Sequence, residues 1–168
     1  ILSFSRLAFS SLKNTPYFTK NIPDGGVRNV LMSQTLKELE GRLNIFTYSK
    51  SNNDTLGALV DFSKELKYCS IDDDFLKEKI ELLNGGFLKE KLQELSLINE
   101  GYNALVSQSY FDDTDCIRIL TDYAIENNLF KNRTIFIDGF RTFTKQEFDC
   151  LEVMLSQSDD VYITLCTD

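Results

Sequence analysis

The apolar residues of this chain change their spacing near residue 130, and this change constrains the fold more than any other feature. Before that point they recur every three or four positions, which is the spacing of one face of an α-helix. The longest such run has six members: Leu88, Leu92, Leu95, Ile98, Tyr102 and Leu105. Thr134-Ile-Phe-Ile-Asp138 is instead a continuous apolar run closed by an acid, which is typical of a buried parallel strand. The sequence therefore predicts a mostly helical chain that ends in an α/β segment.

Residues 134–166 show the order strand, helix, strand. A capping box is predicted at Thr144-Lys-Gln-Glu147, because the Thr144 hydroxyl can accept the Glu147 backbone N–H while the Glu147 carboxylate reaches back. A second strand is predicted over residues 160–166, which are rich in β-branched and aromatic side chains. Together these elements indicate a parallel βαβ unit of about thirty residues.

Residues 1–4, Ile-Leu-Ser-Phe, are short and β-prone, and a helical pattern follows over residues 6–12. We expect residues 1–4 to be a strand of the same parallel sheet as residues 134–138 and 161–166. Because Ile1 is not an initiator methionine, we also expect the chain to be a segment of a longer protein.

The expected fold class is α/β and predominantly helical. Residues 1–14 and 132–168 would form the sheet-containing core, and residues 15–131 would form a large helical insertion. Breakers and caps within the insertion predict one loop, over residues 15–26, and five helices. The first helix covers residues 30–46 and the second is capped by Asp54. The other three run from Asp72-Asp-Asp74 to Asn84-Gly-Gly86, over residues 88–105, and from residues 112–115 to Asn127-Asn128.

Two features of the insertion allow a second interpretation. The three adjacent carboxylates of Asp72-Asp-Asp74 could bind a cation, but no spaced second set of oxygen ligands follows, which favours a helix start. The apolar stripe over residues 88–105 could be a coiled-coil seam for a partner. It spans fewer than three full heptads, which favours a packing face inside a helical bundle.

Composition excludes several classes of chemistry. The chain of 168 residues contains no histidine, so Ser-His-Asp catalysis, Cys-His catalysis and histidine metal ligands are excluded. No stretch of about 18 apolar residues is present, so no membrane span is expected. The four cysteines form no Cys-x-x-Cys pair and are expected to be buried, reduced thiols of a cytoplasmic protein: Cys69, Cys116, Cys150 and Cys166.

The formal charge of −8 is unevenly distributed along the chain. Residues 1–50 contain seven Lys/Arg and three Asp/Glu, whereas residues 51–168 contain eleven and twenty-three. So acidic a chain is not expected to hold nucleic acid over most of its surface, because the phosphate backbone is itself negative. Any DNA contact is therefore expected near the N-terminal end.

Asp138 is the first candidate for chemistry. A carboxylate at the C-terminal end of a parallel strand lies where open α/β sheets bind ligands, and in nucleoside triphosphatases such an acid helps to hold Mg²⁺. The alternative is an aspartate that caps the turn with Gly139. Because the phosphate-binding pattern Gly-x-x-x-x-Gly-Lys-Ser/Thr is absent, this chain by itself is not expected to form a complete ATP site.

Ser3-Phe-Ser-Arg6 is the second candidate. Hydroxyls and an arginine directly after a strand can bind phosphate oxygens, and the ring of Phe4 or Phe9 could stack on a base. Alternatively, Ser3 or Ser5 could cap the helix that follows. The other aromatic rings lie mostly at core-like periodic positions and are expected in the core.

Three stretches together resemble a known family. They are Leu2-Ser-Phe-Ser-Arg-Leu-Ala8, Phe62-Ser-Lys-Glu-Leu-Lys-Tyr68, and Ile135-Phe-Ile-Asp-Gly-Phe140 followed by Phe143-Thr-Lys-Gln-Glu-Phe148. In order and spacing they are similar to the AddB/RexB family, which provides one of the two subunits of the bacterial ATP-dependent helicase/deoxyribonuclease. The resemblance implies a partial RecA-like parallel sheet of the superfamily 1 helicase type, with residues 15–131 as an inserted helical subdomain.

The resemblance also implies roles for individual residues. The motif that touches single-stranded DNA in active helicases would fall on Ser3, Phe4, Ser5 and Arg6. Asp138 would be the magnesium-binding acid of the Walker B motif. Gly139 stands where active enzymes have the glutamate base, so the motif is degenerate and the segment is expected to be catalytically inert.

By the same implication, the parent protein would use ATP, Mg²⁺ and a 4Fe–4S cluster, and none of these is expected in this segment. Its partners would be DNA, bound weakly by the segment alone, and the helicase-nuclease that forms the other half of a cytoplasmic heterodimer. That complex would unwind and resect DNA ends in double-strand break repair by recombination. The competing function is an acidic helical protein-interaction module without a nucleic-acid role.

Overall fold

A computed structural model describes residues 1–165, and the side chains of all of these except Phe18, Lys50 and Leu165. Over this range the chain forms seven α-helices: α1 (Phe4–Leu12), α2 (Gly25–Glu38), α3 (Asn53–Tyr68), α4 (Asp73–Glu81), α5 (Phe87–Ser109), α6 (Cys116–Asn127) and α7 (Lys145–Gln157). Its two strands are β1 (Thr134–Phe140) and β2 (Asp160–Leu165). None of the helices over residues 1–165 combines the length and apolarity needed to cross a membrane.

The chain divides into two compact units. The sheet-containing unit comprises residues 1–17, 68–70 and 114 onward, and the helical unit comprises residues 18–67 and 71–113. The buried apolar side chains of the sheet-containing unit come chiefly from α1, α6, β1 and α7. The core of the helical unit is formed by Met32, Leu36, Leu39, Leu43, Leu56, Leu59, Val60, Ile98, Tyr102 and Val106.

The predicted βαβ unit is confirmed. Strands β1 and β2 pair in parallel, with Thr134 opposite Asp160 and Ile137 opposite Ile163. Between them α7 begins with the predicted capping box, because the Thr144 hydroxyl accepts the backbone N–H of Glu147 and the Glu147 carboxylate accepts the backbone N–H of Thr144. Cys166, predicted in the second strand, lies outside the described residues.

The predicted strand over residues 1–4 is wrong. Residues 1–3 have no regular secondary structure, and α1 begins at Phe4. The local reason is a cap, because the Ser3 hydroxyl accepts the backbone N–H of Arg6 at 3.3 Å. Within residues 1–165 the only strand that pairs with β1 is β2. The sheet therefore has two strands here, whereas three were expected.

The prediction that β1 is a fully buried strand is also wrong. Ile137 is 6% exposed, whereas Phe136 on the opposite face is 75% exposed. Phe136 stacks on Tyr162 of β2, with ring centroids 5.1 Å apart and planes 11° apart. Burying both faces of a parallel strand requires elements packed on both sides. In the described residues that condition is met only on the face of Ile137.

The first long helix of the helical unit differs from its predicted bounds at both ends. It begins at Gly25 because the Asp24 carboxylate accepts the backbone N–H of Val27 at 2.8 Å, and this cap overrides the tendency of two glycines to break a helix. It ends at Glu38, shortly before Gly41, whose φ of +89° is not helical. Leu43 lies beyond the end of the helix, but its side chain is still buried in the core of the helical unit.

The later helices follow the sequence more closely. Asp72 caps α4 as predicted, and Asn128 ends α6 in a left-handed conformation. The predicted cap Asp54 lies inside α3, because the side chain of Asn52 accepts the first-turn N–H groups instead. The apolar stripe of α5 packs in the core at Ile98 and Tyr102, both 1% exposed, but its first member, Leu88, is 59% exposed.

The cysteines are free thiols where they are described. Cys116 and Cys150 are buried as predicted, and burial raises the pKa of the Cys150 thiol to about 11. Cys69 is exposed, so the prediction of burial is wrong there. Cys166 lies outside the described residues.

A buried ion network joins α2, the end of α3 and the segment after α5. Arg28, 4% exposed, donates to the Asp112 carboxylate at 2.8 Å, to Asp113 at 2.5 Å and to the Tyr102 hydroxyl at 3.3 Å. Lys67 donates to the second Asp112 oxygen at 2.6 Å. Burial works against the charged guanidinium, but the bonds and charge of Asp112 outweigh it and raise the pKa of Arg28 above its usual range.

A second buried charge holds the loop between α2 and α3. The Glu94 carboxylate, on α5, accepts the backbone N–H groups of Asn44, Ile45 and Phe46 at 2.7–3.1 Å. Glu94 is 7% exposed, so these amides replace the water that the carboxylate loses on burial. The loop is therefore fixed by one side chain of the central helix.

Replacing Arg28 by methionine should cost about 3–5 kcal/mol of unfolding free energy, because the buried Asp112 carboxylate would lose the cation of Arg28. The matched control is Arg118→Met, since Arg118 pairs with Asp122 while its side chain is 55% exposed. That change should cost no more than about 1 kcal/mol. Urea unfolding followed by circular dichroism measures both, and equal losses would contradict the structural role of the network.

Candidate functional site

A groove of about 440 Å³ lies in the sheet-containing unit, between the start of the chain and β1. Its N-terminal wall is formed by Ile1, Leu2, Ser3, Phe4 and Leu7. Its other wall is formed by Ile135, Phe136, Ile137, Asp138, Phe140 and Met154. The structure therefore brings Ser3 and Asp138, which belong to the two candidate sites of the sequence, to one groove.

Asp138 lies near the C-terminal end of β1 and is exposed. Its carboxylate accepts a hydrogen bond from the Thr164 hydroxyl of β2, so the acid is bonded across the strand pair. Asp138 shares the open face of the sheet with Phe136, because alternate residues of a strand point to the same side. The sequence offered no signal for Thr164, since its position opposite Asp138 depends on the register of two distant strands.

Gly139 follows this acid at the point where the regular pairing of β1 with β2 is interrupted. Its φ is +81°, and the register of the β1–β2 pair shifts between Ile137 and Phe140. Side chains other than glycine rarely adopt this backbone conformation, although a Cβ added at Gly139 would meet no atom within 4 Å. The constraint on this residue is therefore conformational, and not a lack of space.

The phenylalanine cluster, formed by Phe4, Phe140 and Phe143, connects the two walls of the groove. The Phe4 ring makes edge contacts with Phe140 at 5.5 Å and with Phe143 at 6.3 Å between centroids. Phe140 and Phe143 stack at 5.1 Å. This cluster was not predicted from the sequence, and its only local signal was the placement of Phe140 and Phe143 between the predicted strand and the predicted capping box.

The four residues of the N-terminal candidate motif have different surroundings. Ser3 caps α1, and Phe4, 6% exposed, is packed in the phenylalanine cluster. Ser5 and Arg6 are exposed on the first turn, which contains no acidic residue. Within the described part of the chain the Arg6 guanidinium forms no ion pair, so it is available to an anion at the positive end of the helix dipole.

The excess of basic residues at the N-terminal end is smaller on the surface than in the sequence. Arg28, one of the seven Lys/Arg of residues 1–50, is buried and paired with two aspartates. Lys20 donates to the backbone carbonyl of Ser107. In the sheet-containing unit the early cations are Arg6 and Lys13, both exposed.

The residues around Asp138 do not by themselves form a metal site. No group of three or more Cys, Asp or Glu side chains within the described part of the chain is arranged to hold a metal ion. Asp138 supplies one carboxylate, and its hydrogen-bond partner is a hydroxyl. The groove is also lined mainly by apolar side chains, so its walls do not form a cradle for phosphate.

Comparison with known proteins gives a consistent result. A family model described as "ADDB, N-terminal" matches residues 1–168. Proteins named as the B subunit of an ATP-dependent helicase/deoxyribonuclease are similar over the same length. The protein from Clostridium tetani is 31% identical over 99% of this chain and 15% of its own length. The protein from Listeria innocua is 30% identical over 98% of this chain and 14% of its own length. The protein from Clostridium kluyveri is 28% identical over all of this chain and 15% of its own length. This chain thus spans about 15% of the length of the curated relatives it matches.

Replacing Gly139 by alanine should cost about 1–2 kcal/mol of unfolding free energy, because an L side chain is strained at this positive φ. Gly139→Asn should cost less, since asparagine tolerates the left-handed region better. Gly57→Ala is the matched control: Gly57 lies inside α3 with nothing within 4 Å of an added Cβ, so the change should stabilise by about 0.5–1 kcal/mol. If urea unfolding shows that Gly139→Ala is as stable as the unaltered chain, the conformational argument fails.

Proposed function

Because this chain belongs to the family described as ADDB, N-terminal, we propose that it forms a helicase-like segment of the B subunit of an ATP-dependent helicase/deoxyribonuclease. Residues 1–14 and 132–168 would be parts of a RecA-like core domain, and residues 15–131 would be the helical subdomain inserted into it. The complex would unwind and resect DNA ends in double-strand break repair by recombination. Its partners would be DNA and the complementary helicase-nuclease of the heterodimer, in the cytoplasm.

One observation carries the assignment to a helicase-like core. The parallel βαβ unit has an acid, Asp138, near the C-terminal end of its first strand, and Ser3 lines the same groove. Open α/β sheets bind their ligands at that end of the strands. The strand expected over residues 1–4 is absent, so the support is limited to the start of the chain and this strand lying in one compact unit.

The segment is proposed to contribute DNA binding and scanning without hydrolysing ATP. The sequence contains no phosphate-binding Gly-x-x-x-x-Gly-Lys-Ser/Thr pattern. Gly139 follows the acid where a general base would be required, and a glycine can neither accept a proton nor orient a water molecule. The φ of +81° also means that a glutamate at this position would be strained. The backbone itself thus argues against a hydrolytic role.

DNA is proposed to contact the first turn of α1. Ser5 and Arg6 present a hydroxyl and an unpaired guanidinium to solvent, and the N-terminal N–H groups of α1 add a partial positive charge. Such a site would hold a single backbone phosphate and read no sequence. Weak binding by the isolated segment follows from so small a contact.

The competing function, a helical protein-interaction module, has less support. Its motivation was the apolar stripe of α5, and the members Ile98 and Tyr102 are buried in the core of the helical unit. Leu95 is also packed against that core. A substitution such as Leu95→Asp would therefore unfold the helical unit and would not selectively dissociate a complex.

The DNA contact is tested by Arg6→Ala. Loss of one charged contact should lower the affinity for a fluorescent oligothymidylate about fivefold, which corresponds to about 1 kcal/mol. The slope of log affinity against log salt should fall by about 0.7, the value for one phosphate of a single strand. Fluorescence anisotropy at several salt concentrations measures both quantities.

Arg133→Ala is the matched control, because Arg133 is exposed and directly precedes β1, at the end of the strand away from Asp138. Arg133→Ala should change the affinity by less than about twofold. It should change the salt slope by less than about 0.3. Equal effects of the two substitutions would mean that binding is a general response to charge, and no effect of Arg6→Ala would refute the proposed contact.

A further inference from the structure

We infer that Phe4 is a positioning residue that links the DNA-contact turn of α1 to the end of β1 through the phenylalanine cluster. This inference rests on the proposed DNA contact at Ser5 and Arg6. From the sequence, the ring of Phe4 or Phe9 could stack on a base. The structure instead gives the Phe4 ring two aromatic neighbours and 6% exposure, so its contribution to binding is to hold the turn that carries Arg6.

The short length of α1 makes the anchor necessary. The helix has nine residues, and isolated helices of this length are only marginally formed in water. Its inward face consists of Phe4, Ala8 and Leu12, of which only Phe4 belongs to the first turn. Loss of the packing of Phe4 would therefore fray the turn that presents the N–H groups and the Arg6 guanidinium. The turn has two states, docked and frayed, and only the docked state is competent to bind.

The partners of Phe4 connect this equilibrium to the rest of the site. Phe140 follows Gly139 directly, and Phe143 immediately precedes the cap of α7 at Thr144. The conformation at Asp138 and Gly139 therefore biases the docking of the first turn, although neither residue contacts the proposed phosphate. Linkage requires the reverse effect as well, so DNA bound at the turn must change the surroundings of the three rings.

The apparent affinity depends on the docked fraction. For a binding-competent state of fraction f, the apparent Kd is the intrinsic Kd divided by f. A substitution that lowers f from near 1 to about 0.2 would weaken binding about fivefold. It would not change the salt slope, because the same phosphate contact forms in every bound molecule. This separates a positioning residue from a contact residue such as Arg6, whose loss lowers the slope.

The test uses the full 168-residue chain with Phe143→Leu, which removes a ring of the cluster but no proposed contact residue. Affinity for oligothymidylate should fall about fivefold with an unchanged salt slope. Phe143→Tyr, which retains the ring, should restore binding. Phe148→Leu is the matched control, because Phe148 lies on α7 with 51% exposure and outside the cluster, and it should bind like the original chain.

A second readout does not depend on substitution. In the chain labelled with 4-fluorophenylalanine, oligothymidylate should shift the fluorine resonances of Phe4, Phe140 and Phe143 and leave that of Phe148 in place. This experiment decides the question if Phe143→Leu fails to fold. Unshifted cluster resonances in the presence of bound DNA would overturn the inference.

The two proposals fail in distinguishable ways. If Arg6→Ala weakens binding while Phe143→Leu binds with original affinity, the DNA contact stands and the positioning role of Phe4 is wrong. If Phe143→Leu lowers both the affinity and the salt slope, the rings act on the contact itself, and the inference is again wrong. If Arg6→Ala has no effect on binding, the proposed DNA contact fails first.

Discussion

The positive φ of Gly139 is the constraint on which the candidate site depends. It shifts the register of β1 after Ile137, so Asp138 stays on the open face while Phe140 packs against Phe4 and Phe143. The exposed acid and the ring that anchors the N-terminal helix thus lie on either side of the residue with this dihedral.

The positive φ of Gly139 also gives a structural reason why no glutamate base follows Asp138. The absence of a general base after Asp138 can be read from the sequence as the loss of one side chain. In the structure the position has a backbone conformation that most residues other than glycine and asparagine, including glutamate, rarely adopt. A glutamate base at residue 139 would therefore have to adopt a strained backbone conformation.

The sequence predicted those features that short patterns determine. The capping box at Thr144, the cap at Asp72 and the parallel βαβ order all depend on neighbouring residues, and all are present. At the N-terminal end two local signals competed: residues 1–4 are β-prone, but the Ser3 cap starts a helix at Phe4. The phenylalanine cluster and the bond between Asp138 and Thr164 could not be predicted, because both join segments that are distant or paired only in the folded chain.

The groove beside Asp138 and the exposed cation of α1 differ in chemistry. The apolar walls offer a phosphate no replacement for its water and the one carboxylate repels it, so the groove that Ser3 and Asp138 share is poorly suited to a DNA backbone. The cationic surface lies instead on the exposed side of α1, at Arg6. Phe4 belongs both to α1, which begins at this residue, and to the residues that line the groove. If DNA binds at Arg6 as proposed, Phe4 is the residue that directly connects the contact turn to the end of β1 through its ring contacts with Phe140 and Phe143.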